Sequence, residues 1–165
     1  SNWISGKSKK DSDHKQVQQI IDIISEIRSF KNELNVSPGS FIDISINSIK
    51  KNNQNFMINN EIIIKKLGRI NNFFKKDQNK PAASLIISGD LFKIYFDENV
   101  DLNAIKENLL KRQNKYQEEM DKISQRLSNK GFTDRAPKNI VEQEKTNYSN
   151  LKDDIKKISL TIESL

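Results

Sequence analysis

The chain of 165 residues contains no cysteine, which excludes disulfides and thiolate metal sites. Its one histidine, His14, lies in a polar stretch with no cluster of ligand residues beside it, so no metal centre is expected. No apolar run approaches the roughly 20 residues needed to cross a bilayer, and nothing resembles a secretory leader. The expectation is a reducing, soluble compartment without membrane attachment, most simply the cytoplasm. Apolar residues are also scarce: 35% against 30% charged, too few for one thick core. Slender elements with narrow apolar stripes fit that composition.

What is abundant is positive charge. The net charge of +6 suits a polyanionic partner. A chain rich in Lys, Asn and Ile can also acquire that charge from coding bias alone, so the placement of the charges carries more weight than their sum.

Ser1 to Gln16 is polar and reads as a solvated linker, with Trp3 as a loose apolar anchor. From Val17 a helical stripe appears: Val17, Ile20, Ile21, Ile24, Ile27 and Leu34 return at three- and four-residue steps. Asn35-Val36-Ser37-Pro38-Gly39 stops it. Residues 38–98 read as a small α+β unit. Phe41, Ile42, Ile44 and Ile46 alternate as a strand, and Phe56 to Leu67 forms one helix ended by Gly68. Ile70–Phe74, Ala83–Ile87 and Leu91–Phe96 supply further strands, the last two joined by a hairpin turn at Ser88-Gly89-Asp90. The fold class is therefore α+β: a terminal helix over 17–37, a unit of three or four strands with one helix, then a helical segment over 99–165.

That last segment is the most regular part of the chain. Leu102, Leu109, Tyr116 and Ile123 recur every seven residues, with Lys106, Gln113, Met120 and Leu127 four residues after each. Beyond a break at Asn129 to Pro137, Val141, Tyr148, Ile155 and Ile162 hold one heptad position and Glu144, Leu151, Ile158 and Leu165 the other. Such alternation is the seam of a left-handed coiled coil, here folded back as an antiparallel hairpin. Tyr116 and Tyr148 fall in the seam frame and are read as packing residues. The polar seam positions Lys106, Gln113 and Glu144 are expected to fix register at some loss of stability. The hairpin should be a rod about 40 Å long, at 1.5 Å per residue, without a concave pocket for chemistry.

The break itself is basic. Lys122, Arg126, Lys130, Arg135 and Lys138 gather around it, opposed by Asp121 and Asp134. A phosphate-contacting tip would look like this, and so would a solvated helix end. Phe132 either plugs the turn or stacks on a base, the plug being favoured. Gly131 is expected to end the first helix in a left-handed conformation, and Pro137 to occupy the first position of the second.

Leu127-Ser128-Asn129-Lys130-Gly131-Phe132, then Ala136-Pro137 and Ile140-Val141-Glu142, resemble the turn of the C-terminal coiled coil of valyl-tRNA synthetases. Ile27-Arg28 and Glu33-Leu34-Asn35-Val36 with Pro38 resemble the last helix of that family's anticodon-binding domain, and Pro81-Ala82-Ala83 its connecting unit. Two departures stand out: Ile4 where a proline usually follows the tryptophan, and Phe30-Lys31 where an arginine is frequent. The resemblance implies a fragment of a class I ligase that charges tRNA with valine. The parent would use ATP with magnesium and be monomeric, with this segment as its tRNA-gripping arm. Lys122, Arg126, Lys130, Phe132, Arg135, Lys138 and Arg28 are its implied tRNA contacts. The segment carries neither aminoacylation signature of the family, so no catalytic residue, cofactor site or metal site is expected within it. A docking hairpin for a helical protein partner, or the nucleic-acid arm of another translation factor, are the competing readings.

Overall fold

A computed structural model describes residues 2–165, with side chains from Ser8 onward; the expectation placed on Trp3 lies outside the described side chains. The element order is α1 (Asn2–Glu33), β1 (Ile42–Ser45), α2 (Lys51–Asn59), α3 (Glu61–Gly68), β2 (Ile70–Phe74), β3 (Ala83–Ile87), β4 (Asp90–Phe96), α4 (Leu102–Ser128), α5 (Lys130–Arg135) and α6 (Lys138–Ser164). The chain divides into two compact units, Ser1–Val100 and Asp101–Leu165. Among the described residues, no helix is long and apolar enough to cross a membrane.

The polar opening is not a linker. It is the first half of α1, exposed from Ser8 to Gln19 yet helical throughout. Lys, Gln and Asp are tolerated in a helix, and one glycine costs about 1 kcal/mol there. Once the stripe from Ile20 onward is packed, the polar turns extend an existing helix without a new nucleation cost. Ile20, Ile23, Ile24, Ile27 and Phe30 form the buried face, and Phe30 stacks on Phe96 of β4 with ring centroids 6.4 Å apart.

α1 ends ahead of the predicted proline. Asn35 turns left-handed (φ 55°), its N–H donates to the Asn32 carbonyl, and the Val36 N–H donates to Lys31. This pair of hydrogen bonds satisfies the Lys31 and Asn32 carbonyls at the end of the helix, and the buried Val36 seals it.

The sheet has four strands in the order β2-β1-β4-β3. β1 and β2 run parallel and are joined by the α2–α3 crossover; β4 pairs antiparallel with both β1 and β3. The β3–β4 hairpin closes through Ser88 (φ 51°) and Gly89 (φ 82°), the left-handed pair that suits the twist of two adjacent strands. Where one helix was expected over Phe56 to Leu67, there are two, separated at Asn60 (φ −111°). The second of them ends at Gly68, as expected, and the left-handed residue that follows is Arg69 (φ 55°). Gly68 is needed for space: a Cβ there would lie 2.9 Å from Ile70 Cδ1 and 3.3 Å from Ile24 Cδ1.

In the second unit, α4 and α6 run antiparallel and pack along the predicted seam. Leu109, Met120, Ile123 and Ile158 are buried; Leu102, Tyr116, Leu127, Val141, Tyr148, Leu151, Ile155 and Ile162 are half-buried. Half-burial follows from geometry, because a pair of helices covers only one side of each seam residue. Ile105, three residues after Leu102, is buried although it lies outside the predicted frame.

The cap of α1 gives a direct check. Asn35→Gly should leave stability equal or raise it by up to about 1 kcal/mol, while Asn35→Val should lower it by about 1–2 kcal/mol in urea unfolding. Equal midpoints for the two variants would contradict the left-handed assignment.

Candidate nucleic-acid interface

The hairpin turn is built by one asparagine serving two helices. Asn129 leaves helical geometry (φ −84°, ψ 107°), which ends α4, and its side-chain Oδ1 accepts the Gly131 N–H at 2.9 Å, which starts α5. The left-handed end expected at Gly131 is therefore absent; Gly131 is helical, and a Cβ there would approach Asn129 Oδ1 to 3.1 Å. Glycine keeps room for the asparagine cap. Ala136 is extended (ψ 145°), as a residue before proline should be, and Pro137 (ψ 143°) is the N-cap of α6, one position before the site expected for it.

Two polar seam positions find partners across the hairpin. Gln113 Nε2 donates to Ser159 Oγ at 2.6 Å, and Arg126 Nη2 meets Glu144 Oε2 at 2.8 Å. Both pairings give the same alignment of the two helices, so a slip by one turn would leave both unmatched. Lys106, the third polar position, is half-buried.

Of the residues read as RNA contacts, the turn brings six together. Lys122 and Arg126 share a face of α4, Lys130, Phe132 and Arg135 lie on α5, and Lys138 begins α6. Lys122, Lys130, Arg135 and Lys138 are exposed, and none of the four forms a salt bridge with another described residue. Arg126 is half exposed and shares its guanidinium with Glu144. Phe132 is half-buried.

The helix ends sharpen the charge. Neither α5 nor α6 has an acidic residue in its first turn; each begins with a lysine, and α6 has no side-chain cap. Cations at the positive end of a helix dipole do not stabilise that helix. The uncapped start of α6 and the unpaired cations around the turn thus favour an anion.

Arg28 belongs to the other unit and is not part of this turn. It is exposed on α1, and its Nη2 donates to the Leu67 carbonyl at 3.3 Å. Two neighbours that the sequence did not single out as RNA contacts surround it. Lys31 is 2% exposed, with Nζ donating to the carbonyls of Ser40 at 2.7 Å and Gly68 at 3.1 Å. Burial, and then the charges of Arg69 and Arg28, bring its pKa down to about 8. Arg69 holds its guanidinium 5.7 Å from the centre of the Phe41 ring. Nothing in the residue type of Arg69 announces a left-handed backbone.

Residues 101–165 match the family described as "Valyl tRNA synthetase tRNA binding arm". Over its whole length the chain is 66% identical to a valine–tRNA ligase of Pelagibacter ubique (strain HTCC1062), covering 19% of that protein. It is 31% identical over 84% of its length to a valine–tRNA ligase of Clostridium acetobutylicum, and 25% identical over 90% to that of Aquifex aeolicus (strain VF5). It spans 16% and 13% of those two proteins, so it is a small part of the length of the curated relatives it matches.

Glu144→Leu should stabilise the hairpin by about 1 kcal/mol, since an exposed ion pair contributes little and an apolar seam residue contributes more. Thermal unfolding of the variant would check this; a lower midpoint would mean that the Arg126–Glu144 pair outweighs the packing gain.

Proposed function

The chain belongs to the valyl-tRNA synthetase family, and on that premise we propose that it grips tRNA for a valine–tRNA ligase whose chemistry lies elsewhere. The observation that carries the reading is the hairpin turn: four exposed cations without carboxylate partners among the described residues, Lys122 toward the end of α4, Lys130 and Arg135 at the two ends of α5, and Lys138 at the start of α6. A rod of two 27-residue helices, each about 40 Å long at 1.5 Å per residue, holds those charges at the end away from the start of α4 and the end of α6. It would recognise a folded RNA by its phosphate backbone and shape, with Phe132 available to stack on a base if the turn opens. Lys122, Lys130, Arg135 and Lys138 are the principal contacts, and Arg126 acts mainly through the register it sets with Glu144.

In this reading the arm raises affinity for tRNA and holds its orientation while valine is activated with ATP and magnesium by the remainder of the ligase. The parent would be a cytoplasmic monomer. α1 would close the anticodon-binding domain, and residues 38–98 would connect that domain to the arm. A helical protein partner, the competing occupant of the hairpin, would bind with little dependence on salt.

The test is the binding of unfractionated tRNA across a range of salt. For Lys130→Gln/Arg135→Gln/Lys138→Gln, affinity should fall about tenfold or more near 0.1 M salt. The slope of log affinity against log salt should become shallower by about 2–3, near 0.7–0.9 for each phosphate no longer neutralised. An unchanged slope in the triple variant would exclude the turn as the RNA-binding surface.

A further inference from the structure

The corner of the first unit where α3 ends carries a second concentration of positive charge. Three consecutive residues build it. The Leu67 carbonyl receives Arg28, the Gly68 carbonyl receives Lys31, and Arg69 follows in a left-handed conformation. Cations at the C-terminal carbonyls of a helix are stabilising on their own account, and this explains why Arg28 and Lys31 are held there. It does not explain Arg69. Its guanidinium forms no hydrogen bond with another described residue and lies against the face of Phe41, an aromatic residue left 39% exposed.

We propose that Arg28 and Arg69, with Phe41 as the platform beneath Arg69, form a second surface for RNA phosphate on the Ser1–Val100 unit. The proposal rests on the reading of the chain as a tRNA-binding segment and adds an RNA-facing site outside the hairpin.

Three features favour phosphate. The buried ammonium of Lys31 sits behind the two guanidinium groups and feels both as repulsion, so the corner is a cluster of like charges. An arriving anion relieves that repulsion. Arg28 uses one donor on Leu67, which leaves the greater part of its fork for phosphate oxygens. The Phe41 ring holds the Arg69 guanidinium by its face and leaves the N–H edge available, the arrangement in which arginine binds planar or tetrahedral oxyanions. A protein carboxylate would satisfy one guanidinium; a run of phosphates can satisfy both.

The experiment uses the full 165-residue chain and unfractionated tRNA, with three variants beside the wild type. Arg28→Gln/Arg69→Asn removes both charges, with asparagine chosen because it tolerates the left-handed backbone. Arg28→Lys/Arg69→Lys keeps the charges, and the hairpin triple variant serves as the reference. The expected result is that Arg28→Gln/Arg69→Asn weakens binding about five- to tenfold near 0.1 M salt and makes the salt slope shallower by about 1–2. The lysine pair should keep most of the slope. If the charge-removing pair leaves the slope unchanged while the hairpin triple variant lowers it, the second surface is overturned and the hairpin reading stands. If the lysine pair loses as much slope as the charge-removing pair, the effect is structural and the proposal also fails. A wild-type chain that ignores tRNA at low salt overturns both readings together.

Discussion

The second unit depends on the packing of α4 against α6. Without that packing neither helix has a partner for its apolar stripe, and the basic turn between them has no defined geometry. The seam is thin, with four of its predicted apolar positions buried and nine half-buried. Burial of that kind gives cohesion without much directional preference, so alignment has to come from elsewhere. It comes from polar residues. Gln113 with Ser159 and Arg126 with Glu144 tie the helices at two heights in one register. Isolated polar groups in an apolar seam weaken it, whereas matched ones penalise every other alignment. The seam therefore gives up some stability in return for a fixed position of the turn.

Function follows from that fixed position. A charged surface on a mobile segment loses ordering entropy whenever it binds; one carried by two packed helices has already lost it on folding. The turn adds its own order through Asn129, whose backbone closes α4 and whose side chain opens α5. Exposed lysines and arginines on such a support present a stable electrostatic pattern, which suits recognition of a large folded polyanion by shape. The first unit follows a similar logic at smaller scale: Phe41 and the left-handed turn at Arg69 hold one guanidinium in place.

Much of this was legible in the sequence because the relevant signals are periodic. Heptads at Leu102, Leu109, Tyr116 and Ile123 locate one helix of the hairpin, and alternation at Ile42, Ile44 and Ile46 locates the central strand pairing. The cluster of cations at the turn follows directly from those assignments. What sequence reasoning missed depends on single backbone angles or on tertiary space. The polar start of α1 carries no apolar period, so it read as a linker although the packed stripe after it sustains a helix. Gly68 read correctly as a helix end, and Gly131 read as a left-handed one, but neither glycine is the left-handed residue. Each instead makes room, for Ile70 and for the Asn129 side chain respectively, and the left-handed residue is Arg69 in the first case. The split between α2 and α3 falls at Asn60, between the apolar groups Phe56-Met57-Ile58 and Ile62-Ile63-Ile64, which read together as one helix.

The absence of native cysteine makes the central claim directly measurable. Spin labels placed on cysteines introduced at the exposed positions Glu107 and Glu163 would report the separation of the two ends of the second unit. A hairpin in the observed register puts the labels within roughly 15–25 Å of each other, free and with tRNA bound. One uninterrupted helix would place them about 85 Å apart, at 1.5 Å per residue. A distance near the longer value, or a short distance that disappears when tRNA is added, would contradict a preformed arm that meets RNA at its turn.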